Sequence, residues 1–248
     1  MRIFVTGATG WIGSAVVPGL IDAGHQVVGL ARSEASTAGL VKAGAEAHRG
    51  SIDDLESLRS GAGAADGVIH LAFKHDEAFS GNFQAAADAD RRAIETFGAA
   101  LEGSGRPLVI ASGLAGLTPG VLATETDAPD PDSPAGHRTH SEQTALSLAS
   151  SGVRSSSVRL SPTVHGEGDH GFVATLVGIA RDKGVSSYIA DGANHWPAVH
   201  RLDAAQLFRL ALETAPAGTV LHGVAEEGVP VRAIAEVIGR HLHLPVAS

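Results

Sequence analysis

Thr6-Gly7-Ala8-Thr9-Gly10-Trp11-Ile12-Gly13 is the stretch on which the reading of this chain turns. It follows a short apolar run, Ile3–Val5, and leads into a segment carrying Ile12, Val16, Leu20 and Ala23 at helical spacing, which Gly24 stops. A strand–loop–helix junction of this kind aims free N–H groups and the positive helix end at one point, where a phosphate is stabilised. Gly7 allows the tight turn, Gly10 lets the backbone approach a pyrophosphate, and Gly13 permits close helix–strand packing. Alone, three glycines also fit a merely glycine-rich turn, so the remainder of the chain has to decide.

Working outward, apolar runs keep alternating with helix-period segments. Gln26–Ala31, Ala45–His48, Gly67–Leu71, Pro107–Ala111 and Arg154–Leu160 read as strands. Between them, Ile52–Ser60 reads as a helix capped by Ser51, Asp76–Leu101 as a long helical region, and Arg138–Ser151 as a helix opening with polar residues. Near-continuous apolar strands separated by helices predict an α/β, doubly wound parallel sheet with helices on both faces. The stretch Leu117–Gly136 is rich in Pro, Asp, Thr and Gly and predicts a polar loop bordering the site. After Pro162 the alternation loosens: Phe172–Asp182, Ala204–Thr214 behind Asp203 as cap, and Val231–His243 read as helices, with Ser186–Ala190 as a strand. The expected organisation is a dinucleotide-binding core over residues 1–165 and a mixed, substrate-side segment over 166–248, together one compact unit.

Composition narrows the function classes. The net charge is −9 with no Lys/Arg cluster, which argues against nucleic acid, whose phosphates need concentrated positive charge. The absence of cysteine excludes disulfides, thiolate catalysis and zinc–sulfur sites. No apolar run reaches membrane-spanning length, and the N-terminus shows no signal-peptide pattern, so the expectation is a cytoplasmic protein without a membrane partner. A metal is not expected: His165-Gly-Glu-Gly-Asp169-His170 is rich in ligand types but lacks a second ligand group at defined spacing.

The end of the second strand bears on which dinucleotide is held. An NAD binder places an acid there for the ribose 2′-hydroxyl, whereas this chain has Ala31 followed by Arg32 and Ser33, which suit a 2′-phosphate. NADP(H) is preferred over NAD(H) on that ground, while Glu34 keeps NAD open and a solvated Arg32 is the bland alternative.

The chain resembles the short-chain dehydrogenase/reductase superfamily, in its extended, atypical, NAD-dependent epimerase/dehydratase-like branch. The resemblance is carried by Thr6–Gly13, Gly67-Val-Ile-His-Leu-Ala72, Ser112-Gly113, Arg159-Leu-Ser-Pro-Thr-Val-His-Gly166 and His200-Arg-Leu-Asp-Ala-Ala205, in the family's order. It implies that Leu71, Ala72, Phe73, Pro162 and Thr163 flank the nicotinamide and that Ser51 and Ile52 lie near the adenine. It further implies a substrate between the core and the C-terminal elements, relatives that run on past Ser248, and a homodimer through the fourth and fifth helix regions. One departure stands out. The superfamily's Tyr-x-x-x-Lys is absent: Tyr188 lies far downstream, and Lys42, Lys74 and Lys183 fall outside the expected helix. Ser112 holds the family's serine position, and Asp90 stands roughly where its asparagine is expected.

The segment that should carry the dyad reads Gly136-His-Arg-Thr-His-Ser-Glu142. His137 or His140 would exchange a proton near neutral pH, and Arg138 would polarise a substrate oxygen. The bland reading is the start of a solvated helix with Glu142 exposed. Lys74, His75, Gly113, His165 and Trp196 are candidates for the substrate side, each with an exposed-loop or packing alternative. The leading expectation is an NADP(H)-dependent oxidoreductase of a small carbonyl-type substrate with a non-standard proton donor. A redox-silent cofactor-binding sensor and a sugar-nucleotide epimerase or dehydratase need the same nucleotide site and remain alternatives.

Overall fold

The computed structural model describes residues 1–130 and 136–248, apart from the His137 side chain. The chain divides into two units, Met1–Arg159 with Ala205–His222, and Leu160–Ala204 with Gly223–Ser248. The division falls at the last residue of the strand Arg154–Leu160, and most of a later helix and strand belong to the first unit.

In the first unit the strands are β1 (Arg2–Thr6), β2 (Gln26–Ala31), β3 (Glu46–Arg49), β4 (Gly67–His70), β5 (Pro107–Gly113) and β6 (Arg154–Leu160). The helices between them are α1 (Gly13–Asp22), α2 (Glu34–Lys42), α3 (Leu55–Gly63), the single turn α4 (His75–Glu77), α5 (Phe83–Leu101) and α6 (His137–Ser147). Among the described residues a seven-stranded sheet forms in the order β10-β6-β5-β4-β1-β2-β3, where β10 is Thr219–Gly223. The strand order reverses between β1 and β4, which pair in parallel, as do β1 with β2, β2 with β3 and β4 with β5. This is the doubly wound α/β fold, and the reversal leaves a crevice at the strand ends where such folds bind ligands.

Apolar side chains from both faces hold the sheet. Phe4, Leu58, Ile94, Phe97, Leu108 and Ile110 are buried in one cluster, with Phe4 and Phe97 edge to face at 6.3 Å. Each such side chain stabilises the fold by about 1.5–3 kcal/mol through removal from water. The long helical region from Asp76 is interrupted: Gly81, at φ 99°, breaks it before α5 begins at Phe83.

Several local expectations are corrected. The helix read from Ile52 starts at Leu55, and its cap is Asp54, which accepts from the Ser57 N–H; the Ser51 hydroxyl instead accepts from Asp53 N–H. Helix α2 was not legible because it buries only Leu40, too little for an apolar stripe. Helix α8 (Arg201–Thr214) begins before Asp203, which lies in its first turn. Glu142 is buried, with a relative exposure of 2%.

The second unit has a three-stranded sheet, β11-β9-β7, built from β7 (Thr163–His165), β9 (His195–His200) and β11 (Glu226–Pro230). Strand β9 runs parallel to β7 and antiparallel to β11. Helices α7 (Phe172–Lys183) and α9 (Val231–Leu242) accompany it, and β8 (Ser186–Ser187) pairs in parallel with β12 (Val246–Ala247). The strand read over Ser186–Ala190 is thus limited to its first two residues, and Ala190 takes a positive φ of 55°. No helix among the described residues is long and apolar enough to cross a membrane.

Candidate nucleotide-binding and active site

The loop from Gly7 to Ile12 joins the C-terminal end of β1 to α1 at the point where the strand order reverses. Gly7 adopts φ 65°, and a Cβ there would stand 2.8 Å from Ala72 N and from the Leu71 carbonyl carbon. Gly13 is packed so tightly that a Cβ would overlap the Gly7 carbonyl oxygen. The turn is closed by Gly10 N–H donating to Gly7 O at 2.9 Å, while Ser14 N–H reaches Gly10 O. Thr9 and Gly10 are exposed, and Trp11 and Ile12 are half-buried. The loop therefore lies against the Leu71–Ala72 backbone with its middle residues open, which suits a pyrophosphate laid on backbone N–H groups.

At the end of β2, Ala31 is fully buried and Arg32 exposed, with no ion pair for Arg32 among the described residues. Ser33 caps α2, accepting from Ser36 N–H at 3.1 Å. The register of β2 and β3 places Arg49 opposite Ala31, where its guanidinium pairs with Glu34 at 3.2 Å. Arg49 adds a second cation at the end of β2 that local sequence reading passed over, because only strand pairing brings it there. Ser51 is half-buried, and the Ile52 side chain belongs to the core cluster.

Beyond β4, Leu71, Ala72, Phe73 and Lys74 are half-buried. The Lys74 ammonium is engaged by Asp53 at 2.9 Å and Glu77 at 3.2 Å, which raise its pKa and tie the loop after β4 to the loop after β3. His75 stacks edge-on against Phe73 at 5.0 Å; desolvation and then the Arg138 charge hold its pKa below the ordinary imidazole value. Ser112 is buried at the end of β5, next to half-buried Gly113.

Helix α6 brings its first turn to these strand ends. Arg138 donates from Nη2 to the Ala111 carbonyl at 2.7 Å, and its guanidinium carbon sits 4.4 Å from the Phe73 ring centroid. Thr139, Ser141 and Glu142 are buried, whereas His140 is exposed and lines an outer groove with Gln84, Asp88, Arg91 and Gln143. His137 opens the helix, but its side chain lies outside the described residues.

Two buried polar groups anchor this region, and neither was visible locally in the sequence. His70 links β1 to α5: Nδ1 lies 2.6 Å from Thr6 Oγ1, and Nε2 lies 3.1 Å from Asp90 Oδ1. Burial raises the Asp90 pKa, but the His70 hydrogen bond and the Arg138 charge outweigh it, and the carboxyl ends below its ordinary value. The second group is Glu142 with Arg159, paired at 2.6 Å and both nearly sealed from solvent. Ser157 Oγ donates to the same carboxylate, and Arg159 Nη1 also donates to Asp127 O in the polar loop.

The remaining candidates belong to the second unit. Pro162 and Thr163 stand at the start of β7, Thr163 buried with an unpartnered hydroxyl. His165 is 5.4 Å from the His200 ring, and its Nε2 is 3.9 Å from Glu226 Oε2. Trp196 stacks on Phe172 at 4.7 Å with 22° between the planes, and its Nε1 is unpartnered.

Comparison with known proteins agrees with this architecture. A model of the NAD dependent epimerase/dehydratase family matches residues 3–222. An uncharacterized protein of Schizosaccharomyces pombe is 51% identical over 250 residues, covering 100% of this chain and 83% of that one. Among solved structures, MoeE5 in complex with UDP-glucose and NAD is 23% identical at a TM-score of 0.81, covering 100% of this chain and 84% of that chain. The UDP-glucose 4-epimerase of Thermotoga maritima with UDP-glucose is 24% identical at a TM-score of 0.81, covering 100% of this chain and 85% of that chain. These structural likenesses speak to the fold, and the family match to descent: the chain belongs to the NAD dependent epimerase/dehydratase family.

Proposed function

We propose that this protein binds NADP(H) on its glycine loop and works as an oxidoreductase on a small carbonyl-type substrate. The observation that carries the reading is the loop itself: at the β1/β4 reversal, Gly7 leaves no room for a side chain against the Leu71–Ala72 backbone, and Gly13 leaves none against the Gly7 carbonyl and Ala8. NADP(H) is favoured over NAD(H) because the β2 end offers Ala31 where an acid would hold the 2′-hydroxyl, with Arg32 in no ion pair among the described residues and Arg49 opposite Ala31.

When bound, the nicotinamide supplies the hydride. Ser112, buried at the β5 end, hydrogen-bonds the oxygen on which negative charge develops. His137, opening α6, supplies the proton in this reading; the choice of His137 over His140 is supported by the exposure of His140 in a groove with Gln84, Asp88 and Arg91. Proton transfer from a positioned group contributes about 10²–10⁴-fold, so an imidazole in place of the tyrosine sustains a slower or more narrowly directed reaction.

The missing Tyr-x-x-x-Lys favours one other reading, a protein that binds NADPH without turning it over. Loss of NADPH absorbance against a panel of aldehydes, ketones and imines separates the two, with fluorescence confirming that NADPH is bound. Turnover of any member supports the reductase. Saturated binding with no turnover, and no rearranged product from a sugar nucleotide, supports the silent binder. Replacing Ser112→Ala is expected to lower kcat about 10²-fold, and an unchanged kcat would remove Ser112 from the mechanism.

A further inference from the structure

The strand ends beside Ser112 carry one cation whose charge the fold does not cancel by direct contact. Arg138 forms no ion pair with a carboxylate among the described residues. Its Nη2 is fixed by the Ala111 carbonyl, the residue before Ser112, and its plane is steadied over Phe73. Among the described residues its buried Nε has no hydrogen-bond partner, an arrangement that costs stability unless another oxygen completes it. Asp90 and Ser141 are buried beside it, and the Arg138 charge and the Ser141 hydroxyl both favour the Asp90 carboxylate. Asp90 is in turn held through His70 to Thr6, the residue that opens the glycine loop. The guanidinium is therefore placed from three sides: the β5 end, the aromatic ring after β4, and the buried Thr6–His70–Asp90 chain. A cation so held, with a free donor, needs no reorganisation to meet a developing negative charge.

We propose that Arg138 is the electrophilic catalytic residue of this site, binding the reacting oxygen jointly with Ser112 and replacing the electrostatic function of the absent lysine. Asp90 and Ser141 are positioning residues that act through Arg138. The inference rests on the reductase reading above. With NADPH bound, its nicotinamide would supply a hydride to the carbonyl carbon as the C=O π pair moves onto oxygen, and the cofactor would leave as NADP⁺. The oxygen, held by the Ser112 hydroxyl and the Arg138 N–H, takes its proton from His137, which refills from solvent. A guanidinium remains charged throughout the working pH range, so the oxyanion is stabilised whatever the histidine's protonation state.

The test compares Arg138→Met, Arg138→Lys and Arg138→Ala on a carbonyl substrate that the wild-type protein reduces. Arg138→Met is expected to lower kcat about 10²–10³-fold while the NADPH dissociation constant moves less than about threefold. Arg138→Lys keeps the charge and should recover part of the loss, and guanidinium added to Arg138→Ala should restore turnover in a saturable way. A side chain needed only for packing would not respond to added guanidinium. Independently of turnover, Arg138→Met should raise the His75 pKa followed by NMR. Arg138 is the cation acting on that imidazole, against Asp76, Asp90 and the Phe73 backbone, which act in the opposite sense. A kcat unchanged in Arg138→Met, or a loss that neither lysine nor guanidinium repairs, overturns the assignment and leaves the reductase standing. A wild-type protein that binds NADPH but reduces nothing overturns the reductase and this assignment together.

Discussion

Arg32 follows the end of β2 with no carboxylate partner among the described residues, and Arg49, opposite Ala31, is already engaged by Glu34. A 2′-phosphate there would gain charge-assisted hydrogen bonds of about 1.5–3 kcal/mol. Arg32→Ala is therefore expected to weaken NADPH binding about 10–100-fold and to leave NADH nearly unaffected, as read by fluorescence titration of both. Equal losses for the two cofactors would show that Arg32 supports the loop and not the phosphate. The histidines of α6 are separable at the same scale. His137→Gln should lower kcat about 10²-fold or more, whereas His140→Gln, altering an exposed side chain in the outer groove, should change it less than about twofold. The reverse order in steady-state rates would return the proton to His140. Of the features named from sequence, the strand–glycine loop–helix junction over Thr6–Gly13 was legible because its glycines and flanking apolar residues are written locally. Glu142 was misread, since its spacing on α6 is polar and its partner Arg159 comes from a strand 17 residues on.

That buried pair belongs to the scale of elements. Glu142 of α6 and Arg159 of β6 hold the helix to the sheet, and Arg159 extends the grip to Asp127 of the polar loop. Removing one partner leaves the other charge buried and unpaired, at a cost of about 3–5 kcal/mol. Arg159→Met should accordingly lower the melting temperature by roughly 10 °C, whereas replacing both residues together by Met and Leu should restore much of it. A single variant as stable as the wild type in calorimetry would contradict the account of how α6 is held. The same scale shows where pattern reading worked. Strands β1, β4 and β5 are continuous apolar runs buried on both faces, so their sequences announce them. Helix α2, burying Leu40 alone, and β10, half-buried along most of its length, present no such pattern. Likewise the cap of α3 passed from Ser51 to Asp54 because two good capping residues within one turn compete and only the backbone path chooses.

For the whole molecule, strand order explains why the parts meet. The reversal between β1 and β4 gathers the glycine loop, Leu71–Phe73 and the β5 end carrying Ser112 at one edge of the sheet, and α6 adds Arg138 to it. Doubly wound folds bind ligands at that edge whatever their chemistry, so the family sets the nucleotide site while the side chains set the reaction. The sequence made the fold class legible through its alternation, but not the return of α8 and β10 to the first unit, which depends on long-range pairing. The account's central claim is a phosphate-selective dinucleotide site on the glycine loop. Its most direct test is a paired fluorescence titration of the wild-type protein with NADPH and NADH at one fixed ionic strength. The account predicts saturable one-to-one binding with NADPH favoured about tenfold or more. Binding of neither cofactor, or of NADH as tightly as NADPH, would contradict it.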